Sequence, residues 1–132
     1  MIKWLEKNRI ISLIITILIM IEIFYFSSLS FGKASKGSSW IPILYHFSVF
    51  FLLNFFLFIT INKNKKMKYL IIIPIISLIY ALSDEFHQLF VPSRTSSIQD
   101  ILIDATGIFL STIIYLIYNK NTKNKIIKKN KS

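Results

Sequence analysis

The chain has 132 residues, 54% of them hydrophobic, with a mean hydropathy of +0.59 and a formal net charge of +10. That balance excludes an ordinary soluble domain and points to the membrane class, while the absence of cysteine excludes disulfides, thiolate metal sites and a cysteine nucleophile. The charge follows membrane topology rather than a nucleic-acid footprint, so no nucleic-acid partner is expected: thirteen basic residues fall on one side of the expected spans and three on the other.

A bilayer core takes about 20 apolar residues as a helix, and four segments qualify, at about 10–30, 41–61, 69–90 and 98–118. Span one follows Lys3, Lys7 and Arg9. Its apolar run is longer than a signal-peptide core and no small-x-small cleavage site follows, so it reads as a retained span. It holds Glu22 deep in its interior and ends in FYFSSLS, Phe24 to Ser30. A connection with Lys33 and Lys36 leads to span two, which begins WIPILYHF and places His46 about a turn and a half inside. Lys63, Lys65, Lys66 and Lys68 join spans two and three, and Pro74 predicts a kink in span three. Six lysines from Lys120 to Lys131 follow span four, in a tail over 119–132 suited to anionic lipid. Short connections make successive helices antiparallel neighbours. The expectation is an all-α membrane protein: one domain of four transmembrane helices in an antiparallel bundle, with both termini cytoplasmic.

Most of the ionisable chemistry lies in SDEFHQLFVPSRTSSIQDILIDATG, Ser83 to Gly107, which holds four of the six carboxylates, one of the two histidines and one of the two arginines. On span three, Asp84 and Gln88 are four residues apart and His87 lies three from Asp84. Ser77 and Tyr80 extend that face, and Glu85 falls about a quarter-turn away. On span four, Asp100, Asp104, Gly107 and Ser111 make a narrow stripe. Asp84 and Asp104 should therefore sit at comparable depth, with His46 of span two at the same level. Carboxylates that deep cost roughly 2.5–3.5 kcal/mol each on insertion scales, so they must face one another, water or a ligand. Val91-Pro92 ends span three, and Ser97 with Asp100 fits a capping box for span four. Arg94 stands in a chain that otherwise prefers lysine; its planar fork suits a carboxylate of Asp84, Glu85 or Asp100, or a ligand phosphate.

These residues carry a resemblance. ALSDEFHQLFVPSRTSSIQDILIDATG resembles the signature of the VanZ-like family at Asp84, Glu85, Gln88, Pro92, Arg94, Asp100, Asp104 and Gly107. The span-one ending with Ser27 and Ser28 and the His46-Phe47 pair are also similar to that family. The chain departs from the pattern at Pro42-Ile43 and Val49-Phe50, where other members carry charge, and at Ser93, where glycine is usual. The resemblance implies a multi-pass protein of the bacterial inner membrane and, for some members, low-level resistance to the glycopeptide teicoplanin. Abundant lysine, isoleucine and asparagine fit an AT-rich, Gram-positive source.

Four functions compete on these residues. In the first, His46, Asp84, Glu85, Gln88, Arg94, Asp100 and Asp104 line an outward pocket that binds a cell-envelope lipid or cell-wall precursor. In the second the pocket is a membrane-embedded enzyme acting on a phosphate-bearing envelope lipid. Asp84, Glu85, His87 and Asp104 are then the catalytic candidates, with His87 or His46 as base. A transport path is the third, with Glu22 as its only inner group, and a purely structural polar network the fourth. No cofactor is expected and no metal site is assigned, because carboxylates and histidine at these spacings match no metal signature.

Overall fold

The computed structural model describes residues 2–29, 40–62, 66–92, 94 and 96–129, with side chains described as far as Thr122. The expectations placed on Ser30, Lys33, Lys36, Lys63, Lys65, Ser93 and Lys131, and on the tail lysine side chains beyond Thr122, lie outside the described residues. The helices are α1 (Ile2–Lys7), α2 (Arg9–Ser28), α3 (Trp40–Ile61), α4 (Tyr69–Gln88) and α5 (Ile98–Lys129). Among the described residues, four segments are long and apolar enough to cross a membrane: Arg9–Ser28, Trp40–Ile61, Tyr69–Gln88 and Ile98–Thr122.

Many of the residues building these helices are isoleucine and phenylalanine, modest helix formers in water. A bilayer changes the choice, because every backbone N–H and C=O must be paired within the segment and a helix does that alone. α1 is separated from α2 at Asn8, whose side chain donates to the Trp4 carbonyl at 3.0 Å and so competes with the helical ladder. That break, and α5 continuing through Lys129, are the two departures from the expected elements.

The pattern of burial is inverted relative to a soluble bundle. On α2, Leu13, Ile14, Ile17, Leu18 and Ile21 face outward, while Ser12, Thr16, Ile19, Ile23 and Ser27 face the other helices. Lipid solvates leucine as well as a core does, so small and polar groups go to the interfaces, where they allow close approach and hydrogen bonds.

Cross-helix contacts fix the arrangement. Arg9 at the start of α2 donates to the Thr60 carbonyl near the end of α3 at 3.2 Å, so these two helices are antiparallel. Asn54 donates to the Ile108 carbonyl and to Thr112 Oγ1, and farther along the rings of Phe58 and Tyr115 stack at 4.3 Å, so α3 and α5 run parallel. This is the most extensive contact in the molecule, and Gly107 makes it possible. A Cβ there would run into the Phe47 carbonyl oxygen and approach the Phe51 nitrogen to 3.2 Å. The apolar core gathers Ile19, Ile23, Val49, Phe50, Leu53, Ala81 and Ile108. The end of α2, the start of α3, the end of α4 and the start of α5 meet at one pole, called here the turn end.

Candidate ligand-binding site

At the turn end the polar stripes of α4 and α5 face inward together. Asp84, Glu85 and Gln88 are buried on α4; Asp104, Gly107 and Ser111 are buried on α5, and Asp100, one turn nearer the helix start, is half-buried. His46 of α3 completes the layer: its Nδ1 lies 3.1 Å from Asp104 Oδ1, and Asp104 is fully inaccessible. Gln88 bridges the neighbouring acids, donating to Asp84 Oδ2 at 3.0 Å and to Glu85 Oε1 at 3.4 Å.

Glu85 is more central than its angular position on α4 predicts. Only 2% exposed, it accepts the backbone N–H of Ser97 at 2.8 Å. The capping box expected at Ser97 is therefore closed differently. Ser97 Oγ does accept the Gln99 N–H at 3.1 Å, as a helix cap should. The return bond to the Ser97 N–H comes from Glu85, across the turn, and not from Asp100. One carboxylate thus ties the end of α4 to the start of α5.

Arg94 reaches the other side of the turn. Its Nε donates to the Leu29 carbonyl at 3.1 Å and its Nη2 to the Phe26 carbonyl at 2.7 Å. These carbonyls lie at the C-terminal end of α2, the negative end of its dipole, and that of Phe26 also accepts the Leu29 N–H at 3.3 Å. Through these bonds the guanidinium pins the turn to α2. His87 is drawn aside as well. Its Nε2 lies 3.0 Å from Ser28 Oγ and its ring 4.7 Å from that of Phe24, so it faces α2 rather than the carboxylates.

A cavity of about 450 Å³ opens against this layer. Ile23, Phe26, Ile41, Val49 and Phe50 give it apolar walls, and Ser27, Tyr45, His46, Asp84, Gln88 and Arg94 supply polar groups. Glu22, read as the inner group of a transport path, borders the cavity too, with an exposed side chain. Asp104 and Glu85 lie behind His46, outside the cavity wall. Of the foreseen residues, the fold brings His46, Asp84, Glu85, Gln88 and Asp104 together with Arg94 at the rim and Asp100 at the edge. Tyr45 was not foreseen; its only sequence signal is its place beside His46. His46, Glu85 and Asp104 each present a donor atom, all within 4.8 Å of one another.

Chemically the arrangement sets a guanidinium, hydrogen-bond donors, an imidazole and the Asp84 carboxylate in an apolar slot. Such a slot suits a molecule with a polar head and a hydrocarbon body. The family model described as VanZ/LLP1 matches residues 10–119. Searches of curated proteins and of solved structures give no match.

Proposed function

The chain belongs to the VanZ/LLP1 family, and from that membership and the cavity beside Arg94 we propose that it binds a phosphate-bearing lipid or cell-wall precursor of the bacterial envelope. It is a multi-pass membrane protein of VanZ type. The observation that carries the proposal is the cavity itself, apolar along its walls and lined at its polar end by Arg94, His46 and Gln88. A guanidinium already held by two backbone carbonyls loses little freedom when it meets a phosphate, and its fork suits that anion's geometry.

The excess of basic residues at the opposite pole supports an outward-facing turn end, with both termini in the cytoplasm of a bacterial inner membrane. The lysines after Lys120 are then the contact with anionic lipid on the inner surface. A pocket in the outer leaflet is where lipid-linked precursors are displayed and where acylated glycopeptides act. Altered presentation of that lipid is the route by which this protein gives low-level teicoplanin tolerance.

The test is binding of a polyprenyl phosphate by the protein purified in nanodiscs, measured by native mass spectrometry. Wild type is expected to retain the phosphate and to ignore the matching neutral prenol; Arg94→Ala loses the preference. Equal retention of both lipids contradicts the proposal. A second reading, catalysis on the bound phosphate, draws support from one observation: Asp104 orients the His46 imidazole at 3.1 Å beside the cavity, as a base-orienting carboxylate does. Inorganic phosphate released from that lipid by wild type, and not by His46→Gln, marks this outcome.

A further inference from the structure

We propose that His46, Glu85 and Asp104 form a binding site for one divalent transition-metal ion, Mn²⁺ or Zn²⁺. The three come from α3, α4 and α5, are all buried, and hold their donor atoms within 4.8 Å of one another. A cluster of acids is not in itself a metal site. A second observation points to a cation here. Asp104 is fully inaccessible, yet its Oδ2 has no hydrogen-bond partner. A buried carboxylate oxygen left unpaired is costly. An ion beside Oδ2 removes that cost.

One pair already has the spacing. Donor-to-ion bonds of about 2.1 Å set adjacent ligands about 3 Å apart at octahedral angles and about 3.4 Å apart at tetrahedral ones. His46 Nδ1 and Asp104 Oδ1 stand at 3.1 Å, so a pair that is hydrogen-bonded without the ion already has the separation of two neighbouring ligands. Glu85 is the third donor, steadied by Ser97 N–H on one oxygen and Gln88 on the other. Asp84, joined to the same Gln88, and the half-buried Asp100 add negative charge without being needed as ligands.

One imidazole nitrogen with two carboxylates selects the ion class. Calcium takes six to eight oxygens, and soft ions such as Cu⁺ take sulfur, which this chain cannot supply as cysteine. Mixed nitrogen and oxygen donors suit Mn²⁺ and Zn²⁺. Three protein ligands leave coordination positions open, and His46 marks the side on which the cavity lies. The ion's binding does not depend on the lipid proposal and is measured without lipid.

The experiment uses the full chain in detergent, stripped with chelator and titrated with Mn²⁺ by electron paramagnetic resonance, with Zn²⁺ as competitor. Wild type is expected to bind about one ion per chain and to show nitrogen coupling to the bound Mn²⁺. Asp104→Asn and Glu85→Gln weaken binding by roughly tenfold or more, as loss of a ligand should exceed loss of a supporting group. Glu6→Gln, a carboxylate held by Tyr118 at the opposite pole, leaves it unchanged. Absence of saturable binding by the monodisperse wild type overturns the site, without need of any variant. So does binding that is undiminished in Asp104→Asn, or bound Mn²⁺ without nitrogen coupling. Metal binding with no polyprenyl-phosphate preference keeps this site and removes the lipid proposal; the converse removes the site alone.

Discussion

Two polar clusters are buried in the same four-helix bundle, and they are built to different standards. At mid-bundle, Asn54 donates to the Ile108 carbonyl and to Thr112 Oγ1, while its Oδ1 accepts the Ser77 hydroxyl at 3.0 Å. Every group there is neutral, and both amide hydrogens and the amide oxygen of Asn54 have partners. At the turn end, three buried carboxylates share one layer with a single buried imidazole, and one carboxylate oxygen has no partner. Neutral hydrogen bonds of the first kind contribute modestly, averaging about 0.6 kcal/mol across helices in membranes, and they suffice to hold a bundle. A sequence that needed only adhesion at the turn end could have repeated the Asn54 arrangement. Charges held at an insertion cost beside a cavity mark a place organised for something else.

The sharpest way to break this comparison is to disturb what both clusters rest on. Gly107→Ala puts a methyl group against the Phe47 carbonyl and pushes α5 off α3. It should cost about 1–3 kcal/mol, read as a lower melting temperature in detergent, and should impair ligand binding along with it. Next in size is Asn54→Ala, expected to cost about 1–2 kcal/mol through three lost bonds and a small void, with phosphate-lipid binding retained once the folded protein is isolated. Asp104→Asn reverses that signature. It keeps an oxygen toward His46 at the position of Oδ1 and is expected to leave thermal stability unchanged or higher, while Mn²⁺ binding and any drug tolerance fall. The mildest of the destabilising changes is Arg94→Lys, which keeps the charge but not the planar fork. A loss under about 1 kcal/mol is expected, together with a loss of preference for phosphate over neutral lipid. If Asn54→Ala and Asp104→Asn behaved alike in both assays, the distinction between the clusters would disappear.

Much of this was legible in the sequence because membranes impose coarse rules. Length and apolarity marked the four long helices to within two residues at most of their ends. The spacing of Asp104, Gly107 and Ser111 marked the inward face of α5. What was not legible depends on partners that no spacing encodes. Arg94 binds carbonyls, and every residue carries a carbonyl, so its partners at Phe26 and Leu29 leave no trace in side-chain identity. Glu85 was placed off the polar face of α4 because helical angles were counted on that helix alone; the turn to α5 brings Ser97 N–H over it. The His46–Asp104 pair spans α3 and α5, helices that are not consecutive, and follows only from their parallel contact through Gly107. Glu22 was read from its depth in span one as the inner group of a transport path, but it borders the cavity at the turn end.

The central claim, that the turn end is a site and not an adhesive, is tested most directly in cells. A teicoplanin-sensitive Gram-positive host would express wild type, Asp104→Asn or Asn54→Ala at matched membrane levels, with drug susceptibility as the readout. Tolerance raised by wild type and by Asn54→Ala, and abolished in Asp104→Asn, is the result predicted. Tolerance that survives in Asp104→Asn, or that wild type never confers at full expression, contradicts it.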